Sequence, residues 1–327
     1  MKKIVLTAAL VFCMSATAMA EDDVKISGSV EIQYRSSSDK YKRTGNDEIK
    51  AEELYIKIEK EVAENVYAMI KLDGADIDGG KQSSTHKYIE EAQAIFKNVA
   101  HAPLTIIFGK DEMPFGQDYE KFLISSRTHG FEIDKVWGLH GIYKIDGFGS
   151  TAAASFERAP AYDTASQKYV KPNTGLTDSI ALKLKADKLI KNLSIEASYA
   201  TIGKDDSVAA EENESRISIA GKYKMGNLGL HGEYTTFSDM GHVKGSDLAV
   251  IQVGADYKVD SWLLKARHEI SDNNVDNDGS EVNRTVVGVS HYFSKKAFVA
   301  LEWERVSYDG GGIDDLDELL LGAHFKY

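Results

Sequence analysis

The amino-acid sequence predicts an all-β protein that folds as a transmembrane, antiparallel, up-and-down β-barrel of about sixteen strands. Three observations carry this prediction. Apolar and polar residues alternate with a period of two along much of the chain, short and long polar connections follow one another in turn, and the N-terminus has the pattern of an export signal. Together these features are typical of a barrel whose strands cross a bacterial outer membrane.

Residues 1–20 have the three regions of an export signal. Two lysines come first, an apolar run covers Ile4–Met14, and small residues end the segment at Ala20. We expect a cleaved signal peptide, which leaves residues 21–327 as a single barrel domain. Cleavage also removes Cys13, the only cysteine of the chain, and so excludes disulfides and thiolate chemistry from the mature protein.

The composition disfavours a helical membrane protein and a nucleic-acid-binding protein. The chain is 43% hydrophobic and 28% charged, and its mean hydropathy is -0.32. No mature stretch approaches the roughly 20 consecutive apolar residues that a membrane helix requires. A β-barrel tolerates this composition because each lipid-facing residue alternates with a residue that faces a watery lumen. The formal net charge of -12 disfavours nucleic acid as a partner.

The strands themselves are predicted from alternation. Clean apolar phases run through Ile180–Leu184, Leu193–Tyr199, Ile217–Tyr223, Leu228–Tyr234 and Ala249–Tyr257. The last strand has an outward phase made of Leu319, Leu321, Ala323, Phe325 and Tyr327. We expect it to close the barrel against the first strand, near Val24–Arg35, because an unpaired edge in lipid would lack hydrogen bonds. Charged residues interrupt the phase around Asn46–Val66 and Gly130–Lys144, where other registers are possible.

The connections alternate between two lengths. Tight turns are predicted near Glu61–Asn65, Asn98–Pro103, Asp146–Gly149, Asp187–Asn192, Met225–Asn227, Val259–Asp260 and Ser294–Lys296. Long polar stretches lie near Ser36–Glu48, Asp73–His86, Asp111–Gly130, Ala159–Leu176, Gly203–Glu214, Asp239–Ser246, Asp272–Glu281 and Asp309–Leu316. Outer-membrane barrels have short periplasmic turns and long outer loops, and about sixteen strands leave room for a water-filled channel. The size of the predicted barrel therefore indicates transport.

One segment is specific enough to suggest a family. Residues 108–116, with the sequence FGKDEMPFG, take the end of a predicted strand into a long loop. With the signal, the alternating loops and the terminal Tyr327, this segment resembles Gram-negative outer-membrane porins. Within them it is similar to the siderophore porins of the legiobactin-uptake type, and more distantly to phosphate-selective porins. Residues 120–125 and 131–132 are more similar to the siderophore porins.

The resemblance implies that the loop Asp111–Gly130 folds into the barrel and narrows the pore; the alternative is an ordinary surface loop. Its candidate pore-lining residues are Glu112, Asp118, Glu120, Lys121 and Arg127. Strand alternation independently places the basic candidates Lys183, Lys185, Arg216, Lys222, Lys265 and Arg267 on the lumen face. Interspersed with these are Glu196, Glu233, Glu269 and Glu302. This mixture disfavours a phosphate-specific channel, which would need a dense basic ladder.

The sequence therefore predicts passive diffusion of small hydrophilic solutes and ions through a channel in the bacterial outer membrane. We expect no catalytic residue, no metal and no cofactor. The expected partners are those solutes, the outer-membrane lipid, and the barrel-assembly machinery acting through the C-terminal strand. A homotrimer is compatible with the sequence, which leaves the solute and the sign of its charge open.

Three alternatives remain at this point. A siderophore porin would bind its substrate saturably. An outer-membrane hydrolase of the phospholipase kind would use His268 and Ser271, which lie close together near a strand end. A soluble periplasmic β-protein would leave cells without detergent, but the alternation of the last strand disfavours it.

Overall fold

The computed structural model describes residues 24–37, 47–74, 89–117, 122–124, 136–155, 161–163, 168–170, 179–203, 212–273, 280–309 and 315–327. The signal peptide predicted at residues 1–20 lies outside the described residues. Eighteen strands are present in this part of the chain. They are β1 Val24–Ser37, β2 Asp47–Ala63, β3 Val66–Asp73, β4 Ile89–Phe96, β5 Leu104–Asp111, β6 Val136–Ile145, β7 Phe148–Ser155, β8 Ala161–Asp163, β9 Lys168–Val170, β10 Ile180–Ile190, β11 Leu193–Ile202, β12 Glu214–Met225, β13 Leu228–Ser238, β14 Leu248–Val259, β15 Trp262–Asn273, β16 Ser280–Ser294, β17 Ala297–Asp309 and β18 Leu316–Lys326.

Sixteen of these strands form a closed antiparallel barrel in which each strand pairs with its neighbour in sequence. There are two exceptions: β1 pairs with β18 to close the barrel, and β7 pairs directly with β10 because β8 and β9 form a separate two-stranded sheet. The predicted fold class and strand number are confirmed. The structure also gives the register in the two regions where the sequence left it open, near Asn46–Val66 and Gly130–Lys144. In the first, β2 and β3 form a hairpin, and in the second, β6 pairs with both β5 and β7. Among the described residues, no helix is long or apolar enough to span a membrane.

The outer surface of the barrel is apolar because the predicted phases point outward. Strand β10 illustrates the rule: Ile180 and Leu182 are 52% and 41% exposed, whereas Ala181 between them is 0% exposed. The same alternation runs through β12, β14 and β18. Exposed aromatic side chains stand near the tight turns, namely Tyr143, Tyr223, Tyr257, Trp262 and Phe293. Such a girdle is expected where a lipid bilayer meets water.

The tight turns join strands at one end of the barrel. Most of these turns have two residues between the paired strands. Several of the turn residues have a positive φ, which Gly, Asn and Asp adopt most easily. Examples are Asn65, Gly147, Asn192, Gly226 and Asp260. The predicted positions of the tight turns are confirmed. We refer to this end as the short-turn end of the barrel.

The barrel closes where β1 meets β18, as the alternation predicted. The pairing runs from Ser29 with Lys326 to Ser37 with Glu318, and the Tyr327 N–H continues it by donating to the Gly28 carbonyl oxygen at 3.1 Å. The ring of Tyr327 lies across Gly28. A Cβ atom on Gly28 would be 2.2 Å from the Tyr327 hydroxyl and 2.4 Å from the Tyr55 carbonyl oxygen. A glycine is therefore required for the terminal aromatic residue to cover the seam.

We expect Gly28→Ala to weaken the seam by about 1–3 kcal/mol, because the added methyl group must displace either the Tyr327 ring or the β2 backbone. The measurement is the temperature at which the purified barrel unfolds, followed by its change of mobility on SDS gels. Gly141→Ala is the matched control, since a Cβ atom there meets nothing within 4 Å. Equal unfolding temperatures for the two variants would contradict this account of the seam.

Candidate pore and its inner segment

The chain between β5 and β6 enters the barrel. We call its described residues, Glu112–Gln117 and Phe122–Ile124, the inner segment. Met113, Phe115 and Gln117 are 1%, 3% and 1% exposed, and Leu123 and Ile124 are also buried. Their partners lie on strands far away in sequence, so the segment lies inside the wall and not over its rim. The inward course implied for Asp111–Gly130 is therefore seen in its described parts.

One end of the inner segment is attached to β10, β11 and β13. The Gly116 N–H donates to Ser198 Oγ at 3.0 Å, and the Gln117 N–H donates to Glu233 Oε1 at 3.0 Å. Lys183 Nζ donates to the Gly116 carbonyl oxygen at 2.6 Å. These three wall side chains satisfy backbone groups that irregular chain inside a barrel would otherwise leave unpaired.

The other end is attached to β15 and β17. A single carboxylate, that of Glu302, accepts the Leu123 N–H at 2.7 Å and the Ile124 N–H at 2.9 Å. Arg267 Nη2 donates to the Ile124 carbonyl oxygen at 2.9 Å. Lys265 Nζ lies 2.5 Å from Glu302 Oε1, and both side chains are completely buried. The segment is thus held through charged groups on two separated parts of the wall.

Two apolar clusters on the inner face of the wall receive the segment. Met113 and Phe115 pack in a cluster with Phe237, Ile202, Leu248 and Val250 on β11, β13 and β14, among others. Leu123 and Ile124 pack with Val286, Ala300 and Leu320 on β16 to β18. The Leu123 side chain occupies the space above Gly322, where a Cβ atom would be 2.4 Å from Leu123 Cδ1. The inner segment is therefore held in place both by the packing of its side chains and by the hydrogen bonds of its backbone.

Sequence reasoning missed these inward-facing clusters, because it treated the lumen face as uniformly polar. A signal was present. Phe237 on β13, and Leu248 and Val250 on β14, are apolar residues in the lumen phase of strands whose outward phase is already apolar. An apolar lumen position is unfavourable in water unless another part of the chain covers it. Such positions therefore mark where an inner segment packs.

A second segment also folds inward. The connection between β13 and β14 contains a short 3-10 turn at Met240–His242, and both Met240 and His242 are buried. The Gly241 N–H donates to Glu214 Oε2 at 3.0 Å, while Glu214 Oε1 lies 2.6 Å from Arg216 Nη2. Met240 belongs to the same apolar cluster as Phe115. The long-loop half of the interior is therefore filled beside β12 to β14, a feature that the sequence did not predict.

The basic candidates on the strands all lie on the inner face, but in two environments. Arg216, Lys265 and Arg267 are 0%, 4% and 2% exposed. Arg216 and Arg267 contact the rings of Phe115 and Phe122, at 6.0 and 4.7 Å from the ring centroid. These three cations are covered by the inner segment. Lys183, Lys185 and Lys222 instead border the water-accessible interior.

Of the candidates on the loop, the structure describes only Glu112. It follows β5 directly, and its N–H donates to the Asp111 carboxylate at 2.9 Å. The other four, Asp118, Glu120, Lys121 and Arg127, lie outside the described residues.

Several of the wall cations are paired with acidic neighbours. Lys183 and Lys185 lie 3.3 and 3.4 Å from the Glu196 carboxylate. Arg267 Nε lies 2.5 Å from Glu269 Oε1, and Arg284 bridges Glu269 and Glu304. Glutamates that interrupt the basic series therefore have two roles, to neutralise a cation and to hold the inner segment. Glu302 does both.

A cavity of about 850 Å³ lies between the inner segment and the short-turn ends of β10 to β16. We call it the vestibule. Its wall includes Phe122 of the inner segment, Lys222 and Lys224 of β12, Lys258 of β14 and Tyr292 of β16.

The two residues considered for a hydrolase do not form a site. His268 Nδ1 is 2.9 Å from Thr285 Oγ1, its cross-strand partner, and lies in the outward phase of β15. Ser271 is 1% exposed and lies in the inward phase with Glu269. Because consecutive phases point to opposite sides of a sheet, the histidine and the serine are separated by the wall.

A closed barrel with an apolar outer surface, a polar interior and a chain segment folded across that interior is the architecture of an outer-membrane channel. The comparison with known families agrees. Residues 6–311 match the model of the Gram-negative porin family, and the chain belongs to that family. It is a porin of the bacterial outer membrane, and its activity is passive transport through the barrel. No functionally curated protein is detectably similar in sequence.

Solved structures of similar fold are porins and other outer-membrane proteins. A loop L8 deletion mutant of OmpT, an outer membrane protein of Vibrio cholerae, has a TM-score of 0.68 at 17% identity, with 93% of this chain and 99% of that chain covered. The anion-selective porin from Comamonas acidovorans has a TM-score of 0.68 at 13% identity, covering 94% and 100%. OmpF of Salmonella typhi in complex with daunomycin has a TM-score of 0.63 at 13% identity, covering 93% and 97%. At these identities the likeness establishes the fold.

We expect Glu302→Gln to destabilise the protein by about 3 kcal/mol, because it leaves the buried Lys265 ammonium without its counter-charge. The double variant Lys265→Met/Glu302→Gln should recover most of this loss, since it removes both charges. The measurement is urea-induced unfolding in lipid vesicles, followed by tryptophan fluorescence. Asp315→Asn is the control: it breaks the solvent-exposed ion pair with Arg305, of 2.9 Å, and should cost less than about 1 kcal/mol. Equal losses for Glu302→Gln and Asp315→Asn would contradict the buried pair.

Proposed function

We propose that the inner segment is the constriction of the channel and sets the size and charge limits for the small hydrophilic solutes that diffuse through it. The observation that carries this proposal is the attachment of its backbone to two separated parts of the wall, through Ser198 and Glu233 at one end and Glu302 at the other. A segment tied at both ends narrows the passage permanently. Charges on it then act in a confined, low-dielectric surrounding where a few side chains decide which ions pass.

The predicted pore-lining residues divide into two roles under this proposal. Glu112, Asp118, Glu120, Lys121 and Arg127 are the groups on the loop between β5 and β6 that would meet a passing solute. Lys183, Lys185 and Lys222 would meet it on the wall. Arg216, Lys265 and Arg267 would act indirectly, because they are buried under the inner segment and position it.

A phosphate-specific channel fits this interior poorly. Such a channel would present unpaired cations in a row, whereas Lys183, Arg216 and Lys265 lie against Glu196, Glu214 and Glu302, respectively. We infer a channel whose net preference depends on a small number of accessible charges, not on a ladder.

The second candidate is a substrate-specific channel, such as a siderophore porin. It is favoured by the resemblance of residues 108–116 to that subfamily, and by the burial of Phe115 and Gly116 at the attachment to β11 and β13. A siderophore porin would bind a ferric chelate saturably, so that the chelate blocks ion current at micromolar concentration. A general porin would conduct in its presence without a concentration-dependent block.

We further propose that three copies associate in the membrane, inserted by the barrel-assembly machinery through β18 and surrounded by outer-membrane lipid. The support for a trimer is indirect: OmpT of Vibrio cholerae, similar in fold at 16% identity and a TM-score of 0.66, has been solved in a trimer form. Mass measurement of the native protein in detergent tests this assembly.

Removing acidic groups from the loop between β5 and β6 should shift the ion preference toward anions, because the constriction loses negative potential. The test is the reversal potential of single channels in a planar bilayer under a KCl gradient, for Glu112→Gln, Asp118→Asn and Glu120→Gln. Glu281→Gln, on an exposed outward position of β16, is the control and should leave the potential unchanged. A protein that conducts no current would contradict the channel, and unchanged potentials in all three variants would contradict the constriction.

Displacing the inner segment should enlarge the conductance. Gly322→Leu places a side chain in the space of Leu123, so the end of the segment near Glu302 must move away from β18. Ala323→Leu is the matched control, because the neighbouring residue is in the outward, lipid-facing phase. We expect a larger single-channel conductance for Gly322→Leu alone. If both variants conduct like the native protein, the segment does not limit the flow of ions.

A further inference from the structure

The vestibule has an excess of accessible positive charge. Its lining contains five lysines, Lys183, Lys185, Lys222, Lys224 and Lys258, against three acidic residues, Asp187, Glu196 and Asp256. Glu196 and Asp256 are only 7% and 8% exposed, whereas Lys224 and Lys258 are exposed. The groups that a solute can reach are therefore mainly ammonium groups.

Two of the three acidic residues of the vestibule are paired with lysines of the same lining. Glu196 is shared by Lys183 and Lys185, and Asp187 pairs with Lys185 and accepts a hydrogen bond of 2.6 Å from Ser194 Oγ. Among the described residues, Lys224 and Lys258 have no carboxylate within ion-pair distance. Both side chains line the cavity.

Aromatic rings complete the lining. Phe122 is held by the cations behind it, with Lys265 Nζ at 5.1 Å and Arg267 Cζ at 4.7 Å from its ring centroid. Tyr292 packs on Phe298 with ring centroids 5.2 Å apart. Both rings border the vestibule and are fixed by neighbours before any solute arrives. Fixed rings bind flat apolar groups with little loss of side-chain entropy.

The size of the cavity agrees with a small organic ligand. A volume of about 850 Å³ lies within the range of roughly 300–1,000 Å³ that is usual for small-molecule sites. The combination of apolar and aromatic side chains with a small number of charged groups is also usual for such sites. The vestibule is thus suited to a molecule with one anionic end and one flat apolar end.

We propose that the vestibule is a binding site for small aromatic carboxylates. The carboxylate lies among Lys222, Lys224 and Lys258, and the ring packs against Phe122 and Tyr292. This inference rests on the proposed channel function, because a solute from outside reaches the vestibule by passing the inner segment. The site retains such anions at the short-turn end, which faces the periplasm in an outer-membrane barrel.

Benzoate is the probe, and acetate and benzylammonium are its matched controls. In a planar bilayer with symmetric KCl, benzoate should reduce the single-channel current saturably. Acetate lacks the ring and benzylammonium has the wrong charge, so both should have little effect at the same concentrations. Phe122→Leu should weaken the effect of benzoate about threefold, since the flat contact is lost.

The charge requirement is tested by the double variant Lys224→Gln/Lys258→Gln. It should weaken the apparent affinity for benzoate about tenfold, because each lost ammonium group removes a charge-assisted contact. Lys60→Gln/Lys295→Gln is the control with the same change of net charge at the same end of the barrel. Both control lysines are exposed and lie outside the vestibule.

The outcomes separate the site from the channel. A conducting protein on which benzoate acts no more strongly than acetate, or equally in both double variants, overturns the binding site and leaves the porin function intact. A protein without conductance contradicts the channel. In that case, equilibrium dialysis of radiolabelled benzoate against the detergent-solubilised native protein decides the site: saturable binding that the Lys224→Gln/Lys258→Gln variant loses supports it, and no binding overturns it.

Discussion

Backbone hydrogen bonds in this protein have no water to replace them across the lipid, and this constraint determines most of the structure. It requires a closed ladder, so β1 must find β18 although nearly the whole barrel separates them in sequence. It also requires the strands to be continuous through the apolar layer, with irregular chain only at the rims or inside the barrel. The alternation of side chains follows, because a strand in a closed wall has lipid on one side and the interior on the other.

The same constraint applies to the inner segment in another form. Its backbone is not part of any ladder, yet it lies in a confined interior, so the wall must supply its hydrogen-bond partners. Carboxylates are suited to this task because one group accepts two N–H donors, as Glu302 does for Leu123 and Ile124. Each such carboxylate brings a charge that is costly to bury, and Lys265 lies beside Glu302 to offset it. The mixture of acids and bases on the wall is thus linked to the path of the segment.

The fold could be predicted from the sequence because its determinants are local. Period-two alternation and the lengths of connections are properties of short windows, and both indicated the strand number and the closure. The site could be predicted only in part. Alternation placed Arg216 and Arg267 correctly on the inner face, but it could not indicate that they would be covered, since that depends on contacts such as the one between Leu123 and Glu302, 179 residues apart. His268 and Ser271 are three residues apart on one strand, and this odd separation places them on opposite sides of the wall.

The packing of Leu123 on Gly322 has a consequence for the order in which the molecule is completed. Gly322 lies on β18, the last strand of the barrel to be synthesised, and Glu302 lies on the strand before it. The end of the inner segment near Leu123 therefore has no seat until the C-terminal hairpin is in place. The part of the segment that contains Met113 and Phe115 does not depend on that hairpin, because it packs on β11, β13 and β14. The position of Leu123 and Ile124 is in this way coupled to the completion of the wall, because their apolar cluster is formed by Val286, Ala300 and Leu320 on the last three strands.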